Sequence, residues 1–195
     1  MDWTGNTRNP TDLIERVKGS LQYMDILAYY NTRTAKRSGV PLMNHINEGL
    51  IILNSLGCAE DTMLAFCVHP LFQEDEELKR SVLLGVQYDY SPNVLLLVME
   101  YRNQANQWLS EKVATKTTPA SGPLTKVRDM LIADKVQNYK DFLLYHKLTH
   151  PRSMQLTLYF QMWLEHLGVS NTQFKELCDE IEYKGSSRLH QPTRP

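Results

Sequence analysis

Apolar side chains recur at three- and four-residue intervals along most of the chain. Leu13, Ile14, Val17 and Leu21, then Met24, Leu27 and Ala28, trace the stripe of an amphipathic helix. Pro10-Thr11-Asp12 just before it supplies a start signal, with a capping side chain and an acid in the first turn. Arg37-Ser38-Gly39-Val40-Pro41 interrupts the pattern as a turn, since Gly accepts positive φ and Pro fixes its own. A second helix is predicted over about 44–55, with Ile46, Leu50, Ile51 and Leu53 inward and Leu56-Gly57 as its stop. The third, about 60–69, carries Met63, Leu64, Ala65, Phe66 and Val68 on nearly every face, which is the pattern of a buried central helix. Further helices are predicted over 78–87 and 93–112, separated at Asp89-Tyr90-Ser91-Pro92. The period returns at Val127, Met130, Leu131 and Val136, runs to Leu148, and resumes over 154–167, where Gly168 stops it. Residues 171–183 form a last helix. No alternating strand pattern of useful length occurs, so the expected fold class is all-α.

Length and charge narrow the picture. At ~100–200 residues per domain, 195 residues predict one domain, spanning 1–183. Its polar Thr/Pro/Ser/Gly stretch at 115–123 is expected to be a mobile loop, and the tail 184–195 disordered. With 21 basic and 22 acidic side chains the formal net charge is −1. That balance predicts no bulk nucleic-acid binding, which would call for a basic excess. The opening residues carry no secretory pattern, and the longest apolar run, Val94 to Met99, is far short of the ~20 residues a bilayer span needs. Cys58, Cys67 and Cys178 are sparse, odd in number and without a C-x-x-C pair. Structural thiols in a cytoplasmic protein with no membrane association are therefore expected.

Several well-known sites are absent from the sequence: there is no phosphate-binding G-x-x-x-x-G-K-[ST] loop, no G-x-G-x-x-G, no H-E-x-x-H and no G-x-S-x-G. His146 and His150 share a helical face, but Pro151 follows and no carboxylate or Cys lies at helical spacing beside them. His45 starts the second helix and His69 ends the most apolar one. Each can be a core histidine bonded to backbone or a ligand. Asp134, flanked by Leu131, Ile132 and Val136, must be paired or metal-bound if it is buried; otherwise it is a surface Asp facing Lys135 or Asn138.

The order of these residues resembles the HD-domain phosphohydrolases, and most closely their alarmone-hydrolase branch, the SpoT-type hydrolases of guanosine tetraphosphate. Lys36 to His45 (KRSGVPLMNH) resembles that branch's R-x-S-G-x-P-Y-x-x-H opening. Leu64 to His69 (LAFCVH) resembles its A-L-L-H-D helix, and Leu131 to Asn138 (LIADKVQN) its L-A-D-R-L-x-N segment. The likeness runs over roughly 20–170. It implies an HD-like helical bundle in which His45, His69 and Asp134 ligate one divalent metal (Mn, Fe, Zn or Ni). The metal would activate water against a nucleotide or alarmone phosphate. By the same resemblance Arg37 contacts the nucleotide, Lys36 or Lys135 neutralises phosphate charge, and Glu74 or Asp75 orients the attacking water.

Two departures from the family matter. The aspartate of the His-Asp dyad is Pro70 here, which removes a ligand. Proline also disfavours the α region for His69 and is expected to end or kink the helix at the site. The acidic run Glu74 to Glu77 is either a source of a replacement ligand or a solvated charged turn. A histidine usual in the family is missing from Tyr29 to Arg33. The resemblance therefore leaves two outcomes: a diverged hydrolase, or an inactive HD-fold protein that binds a nucleotide or a partner protein, as a phage-encoded regulator could.

Overall fold

The computed structural model describes residues 10–36, 38–109, 122 and 124–186. Among them lie nine α-helices and no strand: α1 (Pro10–Lys18), α2 (Leu21–Tyr30), α3 (Met43–Ser55), α4 (Glu60–Val68), α5 (Asp75–Leu83), α6 (Pro92–Gln107), α7 (Thr125–Asp141), α8 (Ser153–His166) and α9 (Asn171–Ser186). Short 3₁₀ turns at His69–Leu71 and Val86–Asp89 follow α4 and α5, and a π turn at Phe142–His146 extends α7. The all-α bundle follows from the apolar periods. No described helix is long and apolar enough to cross a membrane, and all three cysteines are free.

The first stripe divides in two. Gly19 and Ser20 end α1, and Ser20 caps α2 by accepting a hydrogen bond from the Tyr23 backbone N–H. The break resets the helical phase, so counting onward from Val17 picks the wrong face. Leu21, Met24 and Leu27, expected inward, are exposed, while Ile26 and Gln22 are buried. The count holds in α3 and α4, whereas Leu148 and Met154 of the later period are exposed, the helix expected over 78–87 ends at Leu83 and the one expected over 93–112 ends at Gln107. Ile46, Leu50, Ile51 and Leu53 of α3 are buried, as are Met63, Ala65, Phe66 and Val68 of α4. Each of the larger of these side chains contributes roughly 1.5–3 kcal/mol on leaving water. The π turn carries α7's backbone past Asp141, and α9 continues three residues beyond the predicted end at 183. The expected loop 115–123, apart from Gly122, and residues 187–195 of the expected tail lie outside the described residues.

Two helices form the centre. α4 packs on α2, α3 and α6, and α7 packs on α3, α4, α6, α8 and α9. Enclosure on all sides explains why α4 is apolar all round. It does not explain α7, whose buried face includes Asp134, Lys135, Gln137 and Lys140. Buried charges of that kind persist only with partners.

Pro70 ends the regular helix as expected, with α4 stopping at Val68, but it does not drive His69 out of the α region. His69 has φ −54° and ψ −35°, and it opens a 3₁₀ turn closed by the Phe72 N–H on its carbonyl at 3.1 Å. Proline at the start of a turn is tolerated because its missing N–H would have had no partner there. His69 therefore stays in line with α4, and its ring stays aimed inward.

Candidate metal centre

α3, the end of α4 and the middle of α7 bring three of the candidate residues together. His45, His69 and Asp134 each offer a ligand atom, and these atoms lie within 4.8 Å of one another. The two imidazole Nε2 atoms are 3.3 Å apart, and His45 Nε2 is 3.5 Å from Asp134 Oδ1. His45, with 18% of its side chain exposed against 6% for Asp134, is where the cluster meets solvent.

Hydrogen bonding settles the tautomers. His69 Nδ1 is 2.6 Å from the Phe66 carbonyl, which can only accept, so His69 donates from Nδ1 and Nε2 carries its lone pair. His45 Nδ1 is 2.7 Å from Gln137 Oε1. The Gln137 amide cannot be reversed, because its Nε2 donates to Glu48 Oε2 at 2.9 Å and to Asp141 Oδ2 at 2.8 Å. Its oxygen must therefore face His45, and His45 donates from Nδ1 in turn. Lys140 ties the two carboxylates together, at 2.9 Å from each. With both histidines neutral, two bare lone pairs and a carboxylate oxygen converge on one point. That arrangement is repulsive unless a proton on His45 or a metal ion sits between them.

The spacing fits an ion. Ligand atoms about 2.0–2.2 Å from a tetrahedral zinc-like ion stand roughly 3.3–3.5 Å apart, as the His45–His69 and His45–Asp134 pairs do, with the whole set inside 4.8 Å. A further group lies alongside. The Tyr101 ring packs 4.8 Å from that of His69, and its fully buried hydroxyl has no partner in hydrogen-bonding geometry. Burial, followed by the nearby Asp134 charge, holds that phenol protonated well above its ordinary range.

Burial, reinforced by His45, pushes His69 down to about 3. Burial alone would raise Asp134, but the Lys135 ammonium and the two histidines outweigh it and bring the carboxyl down to about 2. Below its ordinary value near 6.5 the unfolded His69 takes up a proton that the native state refuses down to about 3. Stability is therefore lost as pH falls through that window. Between pH 7 and 4 this single group is expected to remove about 3 kcal/mol from the metal-free protein. Urea denaturation at the two pH values measures the loss, and His69→Asn should shrink it by that amount. An undiminished difference in the variant would assign the loss to other groups.

The remaining candidates are dispersed. Lys135 Nζ is buried and paired with Asp134 Oδ2 at 2.7 Å. Lys36 is exposed in the turn before α3, and Arg37 lies outside the described residues. Glu74 and Asp75 are exposed at the start of α5, outside the three-ligand group, and Asp75 pairs with Arg102. Glu77 accepts a hydrogen bond from the Tyr29 hydroxyl. Among the described residues no acid of this run joins the His45, His69 and Asp134 group.

Gln137, Glu48 and Tyr101 were not among the sequence candidates. Gln137 had one available signal, its i+3 spacing from Asp134 on the same helix face. Tyr101 reads as an ordinary core aromatic on α6, and nothing in the sequence marks its hydroxyl. Comparison with protein-family models, with curated proteins and with solved structures finds no match for the chain.

Proposed function

We propose that this protein is a diverged HD-type phosphohydrolase that uses one divalent metal (Mn, Fe, Zn or Ni) on a nucleotide or alarmone phosphate. The observation that carries the reading is the convergence of His45 Nε2, His69 Nε2 and Asp134 Oδ1, with both Nδ1 protons already committed elsewhere. Bound there, a metal supplies Lewis-acid polarisation of a phosphoryl oxygen and lowers the pKa of water. The chain's own residues do the rest. Gln137, held by Glu48 and Asp141, keeps the proton on His45 Nδ1 and so keeps Nε2 available. His69 is kept neutral by burial. Lys36 is solvent-accessible and available to a substrate's charge.

Pro70 and the dispersed positions of Glu74 and Asp75 favour a second reading: the centre holds an ion or a nucleotide, or presents a surface to a partner protein, without hydrolysis. Metal analysis of the purified protein, followed by a hydrolysis panel of guanosine tetraphosphate, dNTPs and cyclic nucleotides, separates the two. The hydrolase reading expects about one ion per chain, lost in His45→Ala and Asp134→Ala, with turnover of at least one compound. Metal without turnover leaves the binding reading. No uptake of any of the four metals removes the metal from both.

A further inference from the structure

Asp134 divides its two oxygens between different neighbours. Oδ1 faces His45 at 3.5 Å and accepts from Asn138 Nδ2 at 2.8 Å, while Oδ2 is 2.7 Å from Lys135 Nζ. The ammonium is enclosed. Its side chain is 7% exposed, and the Trp163 and Tyr159 rings lie 5.1 and 5.8 Å from the charge, within cation–π range. Lys135 therefore cannot reach out to a substrate. What it touches is the ligand carboxylate.

Building on the metal-centre reading above, we propose that Lys135 is a built-in second cation, which limits the centre to one divalent ion and weakens its hold on that ion. Two-metal sites set their ions about 3.5–4 Å apart and join them through shared ligands. Here the oxygen that would serve a second ion is occupied by an ammonium. Position 70 supplies no carboxylate, and among the described residues no fourth His, Cys, Asp or Glu joins the group. The same positive charge repels the first ion through the shared carboxylate and competes with it for that carboxylate's electron density.

The sign of the effect makes this testable. A lysine that only supported the fold would, when removed, leave metal binding unchanged or weaker. Removal of a competing cation makes binding tighter. Titration of the metal-free full-length chain with Co(II), followed by calorimetry and absorbance, should give one ion per wild-type chain. Lys135→Met, which keeps an unbranched apolar stem against Trp163 and Tyr159, should bind about tenfold more tightly. Lys135→Arg, which retains the charge, should stay close to wild type. Lys135→Gln, neutral but still able to donate to Asp134, should also tighten binding and serves if the Met variant does not fold. Two ions in the wild type, or equal or weaker binding by folded neutral variants, overturns the proposal and leaves the metal centre standing. No Co(II) uptake by the wild type or any variant overturns the metal-centre reading itself, and this proposal with it.

Discussion

Asp134→Ala is expected to destabilise the metal-free protein by about 3–5 kcal/mol, more than any other single change at the centre. The reason is what it leaves behind. Lys135, 5% exposed and closed in by aromatic rings, would keep its charge with no carboxylate beside it. Breaking a buried pair from one side costs far more than replacing both members with apolar groups, which is often close to neutral. Asp134→Ala/Lys135→Met should accordingly recover most of the loss. Urea denaturation in the presence of a chelator measures all three proteins on one scale. A single-variant loss below about 1 kcal/mol, or a double variant no better than the single, would mean that the pair is effectively solvated and that the buried-charge account of α7 is wrong.

The second large effect comes from a position with no polar atoms of its own. A Cβ on Gly49 would stand 2.1 Å from Phe66 Cε1 and 2.3 Å from Cζ. The Phe66 ring is fully buried and cannot swing away, because it packs 5.6 Å from the His45 ring and 4.8 Å from that of His69. Alanine in a helix interior is ordinarily better than glycine by roughly 1 kcal/mol. Here overpacking, at about 1–3 kcal/mol or more, outweighs that preference. Gly49→Ala is expected to lower stability by about 2–3 kcal/mol net and to weaken metal uptake, since Phe66 can yield only by displacing the two imidazoles. Gly49→Ala/Phe66→Leu should be less destabilised than the two single changes added together, the mark of a shared contact. A thermal midpoint for Gly49→Ala at or above that of the wild type would show that α3 and α4 are not so closely opposed.

The helices were legible because burial in α3 and α4 follows apolar periodicity closely, although α7 also buries Asp134, Lys135, Gln137 and Lys140 and α8 exposes Met154 and Leu158. Periodicity failed at α2, where Gly19 and Ser20 shift the phase and a continued count selects Leu21 and Met24 over Ile26. His45, His69 and Asp134 could be singled out because residue type and order survive in one dimension. Their supports could not. Gln137 matters through an amide orientation fixed by Glu48 on another helix, 89 positions away. The role of Lys135 turned on enclosure: in sequence it is a lysine beside a candidate ligand, free to meet a phosphate, and in the fold Trp163 and Tyr159 close over it. Pro70 misled in a narrower way. The rule for a residue preceding proline predicts a bend of His69, and the 3₁₀ turn absorbs the proline without one.

The three residues of the cluster come from helices whose only link in the unfolded chain is a long, flexible one, with His45 and His69 already 24 positions apart. No two of them form a local chelate, so the unfolded ensemble has almost nothing to offer an ion. Whatever binds the cluster binds the folded chain alone, and mass action turns its affinity into stability at close to full value, about 2.7 kcal/mol when the free ion stands a hundredfold above its dissociation constant. An ion held at the cluster would thereby tie the folded fraction of this protein to its own local supply, quite apart from any reaction it assists.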